Sequence, residues 1–284
     1  MNKIQEHQKG ILAVLTAAIM WSTGGMFIKL ITYDALQISF FRGIFAALVF
    51  LAIFKKEIFY ANVFTIINAA FYSAILILFV IATKTTTAAN AIFLQYTAPI
   101  YVLIFEPIIN RTKYEKINVI TIFICFLGMI LFFFGRISTG YQEGNIIALL
   151  SGVAYAAFLL GMRKNKKEYQ FSSIFYGNVI VALICLPSIF SIHSFDMKNL
   201  LMLTYLGIIQ IGIAYAIFSY GLKKVLAIEA SLISMIEPVL NPVWVFLGYG
   251  EIPSINAIFG GVIIIAAISV RTYISESKKK LIKS

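Results

Sequence analysis

Two cysteines and two histidines in 284 residues leave little from which to build a metal centre or a disulfide frame. Cys125 and Cys185 stand alone inside apolar runs, without CxxC spacing, and read as small buried hydrophobes. His7 and His193 fall in a tail and a loop, with no sequence neighbour to pair with. No Walker loop occurs, so ATP does not drive the protein directly. HExxH and GxSxG are missing too, and no Cys/His ligand set exists. These absences speak against an enzyme and against a resident cofactor or metal. Charge is also scarce: 12% of residues carry it, against roughly 25% in soluble domains. Hydrophobic residues make up 61%, and the mean hydropathy is +0.92. No soluble fold of this size hides so much apolar surface, so much of it must face a lipid bilayer.

Ten apolar runs are present, at roughly 10–31, 35–54, 63–82, 87–109, 117–136, 144–162, 172–190, 199–220, 228–248 and 255–274. Each is long enough to cross the ~30 Å hydrocarbon core as a helix. Lipid offers the backbone no hydrogen-bond partners, so spanning segments must be helical unless they close into a barrel. The runs are continuous rather than alternating with period two, which excludes a β-barrel. The first run starts at Ile11 behind a basic tail, as a signal peptide would. It continues to Ile31 without a small-residue cleavage site, so it reads as a retained helix.

The net charge of +11 would suggest a nucleic-acid partner in a soluble protein. Here it marks loops instead, and no nucleic-acid binding is expected. With the N-terminus placed inside, 18 of the 23 lysines and arginines fall on inner segments. Lys84, Arg136 and Lys198 fall outside, and Lys29 and Arg42 lie within helices. Positive residues favour the cytoplasmic side, so both termini are expected inside. The sequon Asn110-Arg111-Thr112 then lies on the cytoplasmic side. A multi-pass protein of the plasma or inner membrane, of bacterial type, is expected.

Five helices per half is an odd number, so a duplicated half must insert upside down. Ala88-Ala89-Asn90-Ala91 precedes Pro99 by the spacing at which Ala227-Ile228-Glu229-Ala230 precedes Pro238. Leu12–Ala17 resembles Ile147–Gly152 in the same way. The expected fold is therefore all-α, with ten transmembrane helices in two inverted five-helix repeats, residues 1–140 and 141–284. Such repeats are typical of secondary transporters.

Proline is rare as well, with six in the chain. Four fall in two helices: Pro99 and Pro107 in the fourth, Pro238 and Pro242 in the ninth. Proline removes one backbone hydrogen bond and clashes with the carbonyl four residues back. Pro99 disturbs Gln95, and Pro238 disturbs Ser234. Interrupted helices in matching positions point to a midplane binding site, although a kink can also serve packing alone.

Polar and amphipathic residues gather beside these breaks. The substrate-binding candidates are Trp21, Gln95, Tyr96, Tyr155, Tyr215, Glu237 and Asn241. Glu237 sits about midway along its run, where a carboxylate must be paired, protonated or reached by water. It is a candidate for substrate binding or proton coupling, or else a structural hydrogen bond. Arg42 lies deep in the second helix and is a gating or helix-pairing candidate, whereas Lys29 can snorkel. Tyr220 is a further candidate for an aromatic cluster able to cradle an organic cation. Glu106 and Glu229 lie near cytoplasmic helix ends and read as structural. Trp244 reads as an interface-belt residue. Ser22-Thr23-Gly24-Gly25 and Gly260-Gly261 permit close helix contact.

In combination, several stretches resemble the ten-helix, EamA-type branch of the drug/metabolite transporter superfamily. They are Ala13–Lys29, Phe40-Phe41-Arg42-Gly43, Ala88–Pro99 and Ala227–Glu251. The last, AIEASLISMIEPVLNPVWVFLGYGE, looks most like that family's ninth helix with its trailing Gly-Glu. No Gly-Glu follows the fourth helix, where Asn110-Arg111-Thr112 stands. The resemblance implies a central cavity lined by helices 1, 3, 4, 6, 8 and 9, with helices 5 and 10 peripheral. It implies substrates among amino acids, nucleobase-like metabolites, cations, sugars and drugs.

The leading expectation is a secondary transporter of a small polar or zwitterionic metabolite, such as an amino acid or an organic cation, working by alternating access. Proton or cation coupling goes with it, and the oligomeric state, monomer or homodimer, stays open. The alternatives are an intramembrane enzyme acting on lipid-linked substrates and a sensor or scaffold without a transport cycle. The enzyme would need paired carboxylates or a helix-borne histidine, and the acidic residues here are scattered.

Overall fold

The computed structural model describes residues 3–111, 113, 115–134, 141–165, 169–192, 194–249 and 254–281. His193 and Glu251 lie outside the described residues, as does the sequon's Thr112. The first half runs α1 (Lys3–Trp21), α2 (Gly24–Leu30), α3 (Ala35–Phe54), α4 (Val63–Thr85), α5 (Ala88–Gln95), α6 (Ala98–Asn110) and α7 (Lys116–Phe132). The second half runs α8 (Gln142–Lys164), α9 (Gln170–Cys185), α10 (Met197–Thr204), a π-helical stretch Tyr205–Ile213, α11 (Ala214–Leu222), α12 (Ala227–Ser234), α13 (Ile236–Tyr249) and α14 (Ile255–Leu281). No strand occurs among the described residues.

Among the described residues, eight helical segments are long and apolar enough to cross a membrane. α7 is apolar but shorter. Its 17 residues rise about 26 Å at ~1.5 Å per residue. α12 and α13 follow one another with a single-residue break at Met235. The two proline-bearing runs break where steric reasoning places the damage. α5 ends on Gln95, and α12 ends on Ser234. A third break, not foreseen, divides α1 from α2 at Ser22 and Thr23. Their hydroxyls donate back to the carbonyls of Ile19 (2.6 Å) and Met20 (2.9 Å). Such back-bonding competes with the helical ladder.

Packing follows an exchange pattern. α3 lies on α9, and α7 on α14. α4 lies on α8, as α11 lies on α1. α5 and α6 cover α8, and α12 and α13 cover α1. The α7–α14 contact is backbone on backbone. A Cβ built on Gly260 would meet Gly128 O and Phe132 N, each at 2.5 Å. No side chain fits there without parting the helices, which matches the close approach expected of Gly260-Gly261. Gly260→Val should therefore lower the thermal midpoint sharply, because over-packing costs about 1–3 kcal/mol or more. Fluorescence-detected size exclusion after stepwise heating measures it. A midpoint equal to wild type would mean that the two helices do not touch this closely.

Buried polar groups brace the basic end of the bundle. Glu106 on α6 accepts from the backbone N–H groups of Ala227 (2.8 Å) and Ile228 (2.9 Å), capping α12 from another helix. Those N–H groups have no intrahelical acceptor. Glu229 accepts from Arg271 Nη1 (2.8 Å) and from the N–H of Leu226 (3.0 Å). His7 Nε2 lies 3.1 Å from both oxygens of the Glu229 carboxylate. Arg271 also donates to Asn118 Oδ1 at 2.9 Å. Glu106 and Glu229 thus hold helices together, and His7 gains a partner 222 residues away.

Candidate substrate cavity

The breaks in α1/α2, α5/α6 and α12/α13 and the π-helical stretch surround one small internal cavity. It is lined by Trp21, Arg42, Gln95, Tyr96, Tyr155, Gln210, Tyr215 and Glu237, with Ile75, Leu76, Phe79 and Ile211 as its apolar wall. Interrupted helices supply polar atoms at depth only where protein or water satisfies them. Arg42 on α3 means that the second helix contributes to the lining, beyond the set the family resemblance implies.

Aromatic rings form one side. Trp21 stands 4.6 Å from Tyr215 and 4.9 Å from Phe218, centroid to centroid. Tyr72 stands edge-on to Tyr215 at 4.7 Å. Tyr96 and Tyr155 meet edge-on at 6.5 Å. Offset and edge-on arrangements are the favourable ones for ring quadrupoles. Tyr96 donates to Glu237 Oε2 at 2.6 Å, and Tyr155 donates to Ser234 Oγ at 3.2 Å. Gln95 donates to Ser151 Oγ at 2.7 Å.

On another side, Arg42 is 3% exposed. Its Nη2 donates to Gln210 Oε1 at 2.9 Å, and Gln210 Nε2 donates to the carbonyl of Trp21 at 3.3 Å. Nε and Nη1 of Arg42, like Nε1 of Trp21, are buried with no acceptor among the described residues. A buried donor without an acceptor costs about 1–3 kcal/mol. The cavity therefore presents a guanidinium with two free donor groups, a carboxyl held by a tyrosine, and an indole N–H.

The cavity is narrow, about 40 Å³, room for about three water molecules at ~10–15 Å³ each. Both ends of the bundle are fastened. At the end away from the basic loops, Lys29 donates to Thr86 O (3.0 Å) and Lys84 to Ile31 O (2.7 Å), tying the end of α2 to that of α4. At the basic end, Arg163 on α8 donates to Leu222 O at 3.2 Å, tying α8 to α11. Cations suit helix C-termini, whose last carbonyls lack partners. Lys29 is thus held by a carbonyl rather than merely snorkelling. Lys224 pairs with Glu6 and with Tyr220.

Of the candidates read from sequence, Trp21, Arg42, Gln95, Tyr96, Tyr155, Tyr215 and Glu237 line this cavity, and Asn241 does not. Four residues beyond Glu237 is about 6 Å along a helix. Asn241 accordingly sits against Gly25 of α2, where an added Cβ would meet its amide at 2.9 Å. Tyr220 also lies elsewhere: it is 44% exposed and takes up Lys224. Trp244 Nε1 donates to Ser22 Oγ at 2.6 Å and fastens α13 to the α1/α2 break. Gln210 was missed by sequence reasoning. An isolated glutamine inside the apolar run Tyr205–Ile213 was its available signal, and π-helical turns often mark functional positions.

The model of the EamA-like transporter family matches residues 8–134 and again 142–273. The chain belongs to the EamA-like transporter family. An uncharacterized transporter of Archaeoglobus fulgidus is 25% identical over 265 residues, covering 92% of this chain and 95% of its own. An uncharacterized transporter of Clostridium kluyveri is 25% identical over 303 residues, covering 97% and 96%. Human solute carrier family 35 member G1 is 25% identical over 300 residues, covering 95% of this chain and 81% of its own. A solved crystal structure superposes with a TM-score of 0.80 at 16% identity, over 94% of this chain and 98% of that one, which concerns the fold alone. The apolar helices and these relatives make the protein a multi-pass membrane transporter.

Proposed function

We propose that this EamA-like transporter is a secondary carrier of small zwitterionic metabolites, with amino acids as the first class to test. One observation carries the reading. Arg42 and Glu237 line one cavity, yet among the described residues Arg42 donates to Gln210 alone and Glu237 is held by Tyr96. A molecule with a carboxylate for the free Arg42 donors and an ammonium for Glu237 satisfies both. The aromatic wall around Trp21 and Tyr215 suits the remainder of such a molecule.

The fold reading behind it is ten spanning helices, α1/α2, α3, α4, α5/α6, α7, α8, α9, α10–α11, α12/α13 and α14, with both termini cytoplasmic. Residues 1–140 and 141–284 form two inverted repeats. The exchange pattern of packing supports this, as do the matched breaks at Gln95 and Ser234. The latches fit the same symmetry, since Lys29 reaches from the end of the first helix to the end of the third, and Arg163 from the sixth to the eighth. Opening one latch while the other holds gives alternating access around the ~40 Å³ cavity. The basic residues set the orientation, and the membrane is a bacterial inner or plasma membrane.

The test is uptake of labelled amino acids into proteoliposomes. Glu237→Gln should fold and insert normally and lose most of the transport. If the carboxyl also cycles a proton, wild-type uptake varies with pH and the residual uptake of Glu237→Gln does not. Normal uptake by Glu237→Gln at every pH would reduce Glu237 to a structural contact of Tyr96.

A further inference from the structure

A larger void than the central cavity is an open groove of about 320 Å³ on the outer surface. Its floor is one face of α8: Val153, Ala156, Ala157, Leu160 and Gly161, ending at Lys164. The steps of three and four place these residues on a single helical stripe. Small residues at 156, 157 and 161 leave the depression. Phe64, Ile67 and Phe71 of α4 form one wall, and Tyr101, Phe105 and Ile109 of α6 form the other. Phe64, Ile67 and Phe105 are 51%, 47% and 45% exposed, so the walls open outward.

We propose that this groove holds an acyl chain of an anionic phospholipid, with the headgroup phosphate paired to Lys164. Three observations select that occupant. The lining is apolar apart from Tyr101 and Lys164, so hydrocarbon suits it and water does not. Among the described lining residues a single cation stands at its end, where Lys164 Nζ lies 5.4 Å above the Phe64 ring. The third is depth. The floor runs from residue 153 to 164, about 16 Å at ~1.5 Å rise per residue. That is one leaflet of a ~30 Å core. A lipid tail fits that half depth, whereas a helix of a second copy would also cover Leu150 and Ile146, which continue the exposed stripe of α8. Assignment to the cytoplasmic leaflet rests on the orientation proposed above, but occupancy of the groove does not.

The groove lies on the back of the helices that face the cavity. α4 carries Ile75, Leu76 and Phe79, and α8 carries Tyr155, into the central lining. A tail seated between α4, α6 and α8 would stabilise the arrangement in which they pack.

Native mass spectrometry of the purified full chain tests this, with phosphatidylglycerol or phosphatidylcholine of identical acyl chains added. One phosphatidylglycerol should be retained in preference to phosphatidylcholine. Lys164→Gln, a surface change, should cut that preference about fivefold, as expected for one basic residue at an anionic lipid. Ala157→Phe should fill the groove and remove the retained lipid, its fold checked by an unchanged thermal midpoint. Equal retention of both lipids by wild type overturns the proposal, as does undiminished phosphatidylglycerol preference in Lys164→Gln. A dimer abolished by Ala157→Phe also overturns it, since the groove then belongs to a second copy. No substrate is present in these measurements, so failure of the amino-acid reading leaves their outcome intact.

Discussion

Arg42→Met is expected to abolish ligand-dependent stabilisation while leaving the ligand-free protein about as stable as wild type. Arg42 is buried, and two of its nitrogens lack acceptors. Removing those orphaned donors relieves about 1–3 kcal/mol each. The loss is one charge-assisted hydrogen bond to Gln210, worth about 1.5–3 kcal/mol. The terms nearly cancel, and methionine fills similar space with an adaptable chain. Ligand binding has no such compensation. Truncating one partner of a buried charge pair costs about 2–5 kcal/mol, so affinity should fall roughly 30- to 4,000-fold at ~1.4 kcal/mol per decade. Arg42→Lys should also bind weakly, because a point charge does not reproduce the guanidinium fork. The measurement is a thermal-shift titration with a panel of amino acids, organic cations and simple carboxylates. Stabilisation of Arg42→Met by the same compounds at the same concentrations would remove Arg42 from the site.

Glu229→Ala should be the most destabilising of the carboxylate changes. It removes the acceptor of Arg271 Nη1 and of the Leu226 N–H, and a close neighbour of His7. Arg271 is 2% exposed and keeps Asn118 as a partner. Breaking a buried ion pair from one side costs about 3–5 kcal/mol, a large share of the ~5–15 kcal/mol typical of a native fold. The expected result is little monodisperse protein and a greatly lowered thermal midpoint. Glu57→Ala, at an exposed position, should stay within about 0.5 kcal/mol of wild type. Glu229→Leu combined with Arg271→Leu should recover part of the loss, since the uncompensated guanidinium goes as well. A Glu229→Ala protein as stable as wild type would mean that the cluster does not hold α1, α12 and α14 together.

Proline chemistry made part of this architecture legible before any coordinates. Pro99 and Pro238 each disrupt a defined carbonyl, and the helices end on Gln95 and Ser234 accordingly, whereas Pro107 lies inside α6 without ending it. The position of Glu237 beside Pro238 was legible for the same reason. Other features depend on side-chain competition that sequence periodicity does not register. The break after Trp21 arises from Ser22 and Thr23 turning their hydroxyls onto the preceding carbonyls. In the sequence Asn241 groups with Glu237 as a polar residue beside the prolines, but one further turn carries it past the cavity to Gly25. His7 and Glu229 come together across 222 residues of chain, and Arg271 joins them from 42 residues further on. Nothing local announces such a contact. Gln210 needed the π-helical stretch to aim it at Arg42.

The most direct test of a non-ATP carrier for zwitterions is counterflow. Proteoliposomes loaded with an unlabelled amino acid are diluted into a trace of the same labelled compound, without ATP or an ion gradient. The expected result is transient accumulation of label in loaded vesicles containing wild-type protein, and none with Arg42→Met or in vesicles lacking the protein. Correctly inserted wild-type protein that shows no counterflow with any amino acid in the panel would contradict the assignment.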